Sequence, residues 1–289
     1  MVRFPRILGH EVAATIVDDA PGYPALRAGV GVTLSPYTSC GRCPACLQGR
    51  VNACELNETF GVQRDGALTE YLSVAPEKIF PANLSLKELC LVEPLTVGFH
   101  AVARGRVTSQ DTVAIIGCGG VGLGAVAASG FRGARTIGID VDDDKLALAR
   151  SAGATETINT RTSSLHDRLS ELTGGVGPDV IIEAIGLPET FQAAVTEVAF
   201  TGRVVYIGYA KDHVTYESRL FILKELDILG SRNALAEDFQ AVIWMLGQKR
   251  FPVEDAISSI VSLDQVPQAL QNWSAEPSKV KKILVSLDD

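Results

Sequence analysis

The sequence predicts an α/β protein with two domains, a small β-rich one and a parallel sheet covered on both faces by helices. With 289 residues, the chain exceeds what one core usually holds. Its character changes near residue 98, from short apolar runs broken by Gly and Pro to alternating strand and helix patterns. Strands that are apolar along their whole length are typical of a parallel sheet buried on both faces. We therefore place a domain boundary near residue 98.

The elements follow from hydrophobic periodicity and turn residues. In the first domain we expect strands at 12–17, 30–34 and 68–74, and a helix at 93–106 that bridges the two domains. The second domain alternates strands at 112–117, 135–140, 155–159, 180–185, 203–209 and 227–231 with helices at 121–131, 142–152, 165–172 and 189–200. A helix at 239–249 and a short α+β tail ending in a strand at 282–287 complete the chain.

Composition and charge exclude several classes of function. Hydrophobic residues make up 46% and charged residues 21%, which is typical of a soluble globular protein. A net charge of −8 leaves no basic surface for a phosphate backbone, so we expect no nucleic-acid partner. No apolar run approaches the roughly 20 residues of a membrane span, and the start has no signal-peptide pattern. The sequence therefore predicts a cytoplasmic protein without a membrane partner.

A glycine-rich turn follows the strand at 112–117. Gly117, Gly119 and Gly122 match G-x-G-x-x-G, with Gly120 and Val121 between them, and the motif opens the next helix. The first glycine permits a tight turn, the second lets backbone approach a pyrophosphate, and the third lets helix and strand pack closely. The pyrophosphate would then lie at the positive end of the helix. The context of strand, turn and helix predicts a dinucleotide site.

Asp140 ends the next strand, 23 residues after Gly117. A carboxylate at this place accepts hydrogen bonds from the adenosine ribose hydroxyls. A 2′-phosphate would meet this acid and those at 142–144, and Lys145 alone would not offset them, although it is placed to contact the ribose. The sequence therefore favours NAD over NADP.

Four of the six cysteines lie within fifteen residues, as Cys40, Cys43, Cys46 and Cys54. In a reducing compartment such a cluster more often binds metal than forms disulfides. Four thiolates suit a tetrahedral zinc ion. The competing interpretation, an iron–sulfur cluster, fits less well, because seven residues instead of three separate Cys46 from the last cysteine and because that cysteine is not followed by proline. With all four positions taken by protein, this zinc would be structural.

Two further motifs contain zinc-ligand residue types. Gly9-His10-Glu11 precedes the cysteines, and Glu93-Pro94-Leu95 lies near the domain junction. Imidazole and carboxylates are ordinary zinc ligands. The order Gly-His-Glu, cysteine cluster, Glu-Pro-Leu, G-x-G-x-x-G resembles the zinc-containing medium-chain dehydrogenase/reductase family over essentially the whole chain. The resemblance implies a GroES-like catalytic domain at 1–98, a Rossmann NAD-binding domain at 99–235, a return to the catalytic domain at 236–289, and a catalytic zinc in the cleft.

The resemblance also implies roles for individual residues. His10 would bind the catalytic zinc, and either Glu11 or Glu93 would be a direct ligand, with the other beside the metal. Glu-Pro-Leu looks like the polyol and threonine dehydrogenase branches, and residues 224–233 are similar to dehydrogenases of L-galactonate or L-gulonate. We therefore expect a zinc- and NAD-dependent enzyme that oxidises a secondary alcohol of a small polyol or sugar acid, as a homodimer or homotetramer.

One motif of the family is not found. Its members carry Cys-Gly-Ser/Thr-Asp upstream of Gly-His-Glu, which supplies another zinc ligand and a hydroxyl for proton transfer, whereas the first cysteine here is Cys40. We expect from this that the start of the catalytic domain is missing. The alternatives are a non-catalytic protein that binds NAD and zinc, and a threonine- or butanediol-type dehydrogenase of the same family. The cysteine cluster argues against the zinc-free quinone reductases.

Overall fold

The protein is described by a computed structural model that covers residues 2–276 and 279–287. These residues form two compact units. The first takes the described parts of 1–96, 233–249 and 253–289, and the second takes 97–232 with 250–252. Across the described residues, no helix combines the length and the apolarity needed to cross a membrane.

The helices and strands alternate through most of the chain. The strands are β1 Ala14–Thr15, β2 Gly31–Leu34, β3 Ile79–Pro81, β4 Thr112–Ile116, β5 Arg135–Asp140, β6 Glu156–Asn159, β7 Val180–Glu183, β8 Arg203–Tyr206, β9 Asp227–Gly230, β10 Ser259–Ser262 and β11 Ile283–Ser286. The helices are α1 Pro44–Leu47, α2 Leu86–Arg104, α3 Gly120–Phe131, α4 Asp143–Ser151, α5 Leu165–Thr173, α6 Pro188–Glu197, α7 Arg219–Leu223, α8 Ala236–Gly247, α9 Val253–Ala256 and α10 Val266–Ala275.

The second unit is built on a six-stranded parallel sheet in the order β6-β5-β4-β7-β8-β9. Its central strands are apolar on both faces, and Ile137, Ile139, Ile158 and Ile181 are among the core side chains that lie almost fully out of solvent. Burial on both faces explains why these strands read as continuous apolar runs rather than as alternating ones. The predicted α/β fold with a doubly covered parallel sheet is confirmed.

The first unit contains a small antiparallel sheet, β1-β2-β3, and a parallel pair, β10-β11. The prediction of a strand at 68–74 is wrong, because these residues do not form one. Gly66, Ala67 and Leu68 do donate backbone hydrogen bonds to the carbonyls of residues 7–9, at 2.8–2.9 Å. A strand needs a ladder of partners along its length, and in the described part of the chain the hydrogen-bonded stretch ends at Leu68.

Helix α2 begins at Leu86, earlier than the predicted start at Glu93. The cause is a capping box: the backbone N–H of Glu88 donates to Ser85 Oγ at 3.3 Å, and Ser85 N–H donates to Glu88 Oε2 at 2.8 Å. Pro94 lies inside the helix, where its missing N–H removes one backbone hydrogen bond without ending the helix. Glu93 therefore lies within α2, with helical residues before and after it.

Candidate functional site

The glycine-rich turn leads from β4 into α3. Gly117 has φ +96°, a left-handed conformation that favours glycine. A Cβ atom on Gly122 would lie 1.8 Å from the carbonyl oxygen of Gly117, so this position admits no side chain. Cβ atoms on Gly119 and Gly120 would meet nothing within 4 Å. Gly122 is thus in close contact with the backbone of Gly117, whereas Gly119 and Gly120 face free space at the N-terminus of α3. An anion would bind in this space.

Asp140 lies at the carboxyl end of β5 and is buried. Its Oδ2 accepts a hydrogen bond from Cys118 N–H at 2.9 Å, inside the glycine turn. Its Oδ1 accepts from Val141 N–H at 2.8 Å and Asp142 N–H at 3.2 Å. The carboxylate therefore links the ends of two neighbouring strands. Its predicted contact with a ribose, like that of Lys145, stays a prediction.

Glu183 is a residue of this unit that sequence reasoning missed. It ends β7 and is fully buried, and its Oε1 accepts hydrogen bonds at 2.8 Å from Ile185 N–H, Gly186 N–H and Thr190 Oγ1. An acid that ends an apolar strand, as Asp140 also does, is the signal that could have found it. Its carboxylate fixes the loop that follows β7, at the same edge of the sheet as the glycine turn.

The four cysteines predicted to bind zinc are brought together. One sulfur atom from each lies within 4.8 Å of the others, and Cys43 Sγ is 3.9 Å from Cys54 Sγ. Around a tetrahedral zinc ion, with Zn–S bonds of about 2.3 Å, sulfur atoms lie about 3.8 Å apart. Backbone N–H groups of Cys40 and Cys43 also donate to sulfur atoms at 3.3 Å. The geometry fits a zinc ion.

The electrostatics of these thiols differ. Backbone N–H groups of Cys46 and Glu55 lower the pKa of Cys43 to about 6, whereas burial raises the pKa of Cys46 to about 11. Thiolates are the form that binds metal. Without metal the thiol of Cys46 therefore retains its proton at neutral pH, and zinc must displace it.

A second cluster joins His10, Glu11 and Glu93. One ligand atom from each lies within 4.8 Å of the others, although Glu11 and Glu93 are 82 positions apart in the sequence. Burial lowers the pKa of His10, which favours the neutral imidazole that binds metals. Burial also raises the pKa of Glu93 to about 7. One nitrogen and two carboxylates make a donor set that fits zinc.

Two residues beside this cluster were missed by sequence reasoning. Lys282 Nζ donates to Glu11 Oε2 at 2.5 Å, and the hydroxyl of Tyr37 donates to Glu93 Oε1. Burial, followed by the charge of Glu93, raises the pKa of Tyr37 well above its ordinary value, so the phenol keeps its proton and is the donor. Neither residue lies in a recognisable motif, and only the fold brings each to its carboxylate.

Comparison with known proteins agrees with this geometry. Residues 1–83 match the alcohol dehydrogenase GroES-like domain, and residues 120–248 match the zinc-binding dehydrogenase family. The chain is 32% identical to L-galactonate-5-dehydrogenase of Escherichia coli, covering 83% of this chain and 71% of that protein. It is also 32% identical to sorbitol dehydrogenase of Bacillus subtilis, covering 99% and 82%.

A solved structure agrees with the whole fold. A protein of Escherichia coli CFT073, described as a short chain alcohol dehydrogenase and solved with NADH, superposes with a TM-score of 0.90 at 28% identity. The match covers 99% of this chain and 85% of that one.

Proposed function

Because the chain belongs to the zinc-containing medium-chain alcohol dehydrogenase family, we propose that it transfers a hydride between a secondary alcohol of a polyol or sugar acid and NAD. The observation that carries this proposal is the cluster of His10, Glu11 and Glu93. Unlike the four cysteines, these three ligands leave room on a four-coordinate zinc ion, which is a property of catalytic zinc sites.

In this reaction the bound groups supply the chemistry, and residues of this chain bind and orient them. When bound, zinc supplies a Lewis acid for the alcohol oxygen and NAD supplies the hydride acceptor. The neutral imidazole of His10 and the carboxylates of Glu11 and Glu93 hold the ion. The open backbone N–H groups at the start of α3 bind the pyrophosphate. Asp140 accepts hydrogen bonds from the ribose hydroxyls.

The acids around Asp140 support NAD rather than NADP as the preferred cofactor. Asp142, Asp143 and Asp144 follow it directly, and Asp142 caps the N-terminus of α4. A 2′-phosphate at this place would be repelled by these carboxylates. We expect a lower Kd for NADH than for NADPH by about 10-fold or more, in line with about 1.4 kcal/mol of repulsion.

The substrate class rests on the relatives, which act on L-galactonate and sorbitol according to their names.

The cytoplasm is the compartment that we expect for this protein, because its reducing conditions keep the four thiols of the zinc site from forming disulfides. A homodimer or homotetramer is supported by β9, which pairs only with β8 among the described strands and leaves its outer edge open. Ile222, 85% exposed on α7, is a neighbouring apolar group that a second copy could cover.

Initial rates of NADH formation test the proposal on zinc-loaded protein. The substrates are polyols, sugar acids, threonine and 2,3-butanediol. We expect turnover on a polyol or a sugar acid, and a loss of kcat/KM of about 100-fold or more in His10→Ala because a metal ligand is removed. The matched control is His213→Ala, which changes an exposed histidine and should keep the rate. Turnover on threonine or butanediol alone would shift the substrate class. Zinc and NAD binding without any turnover would show a non-catalytic protein.

A further inference from the structure

Tyr37 lies on a short segment between two fixed points. It follows the end of β2 by three residues and precedes the zinc ligand Cys40 by three. The backbone N–H of Ser35 donates to the carbonyl of Lys78 at 2.8 Å, and the carbonyl of Pro36 accepts from Phe60 N–H at 3.1 Å. The side chain of Tyr37 is buried, with 7% of its surface exposed. A phenol with two side-chain torsions, buried on a fixed backbone, has a defined position.

The partner of this phenol is a buried carboxyl group that has no cationic partner among the described residues. Glu93 is 3% exposed, and no ion pair found among the described residues includes it. Glu11, by contrast, is paired with Lys282 at 2.5 Å. A buried carboxylate needs hydrogen bonds and a counter-charge. The hydroxyl of Tyr37 supplies a hydrogen bond to Oε1, and a metal ion in the cluster would supply the charge.

We propose that Tyr37 is a positioning residue for the metal site: its hydroxyl holds Oε1 of Glu93, so that the carboxylate presents Oε2 to the ion bound by His10 and Glu11. This inference rests on the proposed function, because it assumes a metal at that cluster. Groups that hydrogen-bond to metal ligands orient them, and their loss typically weakens metal binding by about 10- to 100-fold. Tyr37 thereby connects the segment that leads into the cysteine cluster with the second metal site.

Cobalt titration of the metal-free full chain tests this inference. Co²⁺ bound by thiolates has a sulfur-to-metal charge-transfer band, which reports the cysteine cluster alone. Both sites have visible d–d bands, so the second site is followed by the d–d absorbance that grows without a change in the charge-transfer band. In Tyr37→Phe we expect Kd at the second site to rise by about 10- to 100-fold, with altered d–d bands and unchanged binding at the cysteines. Tyr71→Phe, which removes an exposed hydroxyl of the same unit, should leave both sites unchanged.

A double-mutant cycle distinguishes positioning from a general loss of structure. If Tyr37 acts through Glu93, the effect of Tyr37→Phe on Kd disappears in the Glu93→Gln background. An equal effect in both backgrounds, or an unchanged Kd in Tyr37→Phe, would overturn the inference while leaving the proposed function intact. A wild-type protein that binds cobalt only at the cysteines would overturn both.

Discussion

Lys282 Nζ lies 2.5 Å from Glu11 Oε2, although the two residues are 271 positions apart in the sequence. Both side chains are less than one-third exposed. The pair joins the last part of the chain, near β11, to the Gly-His-Glu motif near the start, and it neutralises one of the two carboxylates in the cluster. Glu93, the other carboxylate of the cluster, has no such cation among the described residues and accepts a hydrogen bond from Tyr37 instead.

The ion pair should contribute to stability. We expect Lys282→Met to lower the free energy of unfolding of the metal-free protein by about 1–2 kcal/mol, between the values for exposed and buried pairs. Metal affinity at the cluster should not fall, because the variant removes a positive charge. Urea unfolding and cobalt titration measure the two quantities. Lys279→Met, which breaks an ion pair with both side chains more than half exposed, is the control. Equal losses in both variants would contradict this role.

Two glycines of the same turn should behave differently when replaced by alanine. Gly122→Ala places a methyl group 1.8 Å from Gly117 O, so we expect loss of folded protein or a strongly lowered Tm. Gly119→Ala meets no protein atom within 4 Å and should fold normally. Because its methyl occupies the space where a pyrophosphate would approach, we expect NADH affinity to fall by about 10-fold or more.

Differential scanning calorimetry and NADH fluorescence titration check this pair. Normal NADH binding in Gly119→Ala would show that the pyrophosphate lies elsewhere.

Glu93 should make the metal-free protein less stable at high pH. Its folded-state pKa of about 7 lies above the ordinary value of 4.5, so the folded state holds the proton more tightly. The favourable effect is complete below about pH 4.5 and is lost as pH rises through about 7. Glu93→Gln removes this dependence, so we expect the loss of stability between pH 5 and pH 8 to be smaller in the variant than in the wild type, by about 2.5 kcal/mol.

Urea unfolding at both pH values, in the presence of a chelator, measures the effect. Glu70→Gln changes an exposed glutamate of the same unit and is the control. The same pH dependence in wild type and Glu93→Gln would contradict the burial argument.

Zinc uptake by the cysteine cluster should release protons. Because burial raises the pKa of Cys46 to about 11, its thiol is protonated at pH 7 without metal, and zinc must displace that proton. The affinity of the cluster for zinc should therefore fall as pH is lowered.

Cys46→Ala should lose one zinc ion per chain and unfold at a lower temperature. Cys118→Ala, which removes a buried thiol outside both clusters, should keep its metal. Elemental analysis and calorimetry in buffers of different ionisation enthalpy measure metal content and protons. Equal zinc content in all three proteins at pH 7 would contradict the assignment.

Much of the fold could be predicted because its signals are local. The whole-length apolar strands, the acidic start of α4 and the glycine turn each depend on a few neighbouring residues, and the structure has β5 at 135–140 as predicted. The strand at 68–74 and the start of α2 could not be predicted equally well. The segment at 68–74 pairs with the backbone of residues 7–9 only as far as Leu68. The start of α2 is set by the capping box of Ser85 and Glu88, which lies ahead of the segment predicted as helix.

The sequence by itself determined the family, the parallel sheet, the glycine turn with Asp140, and the four-cysteine cluster, because each is set by spacing within a short segment. Only the tertiary structure decided which groups surround His10. It brought Glu93 to Glu11, paired Lys282 with one carboxylate, and placed Tyr37 on the other. The physical reason is that charge compensation in a buried site depends on distance in space, and residues up to 271 positions apart meet there only after the chain has folded.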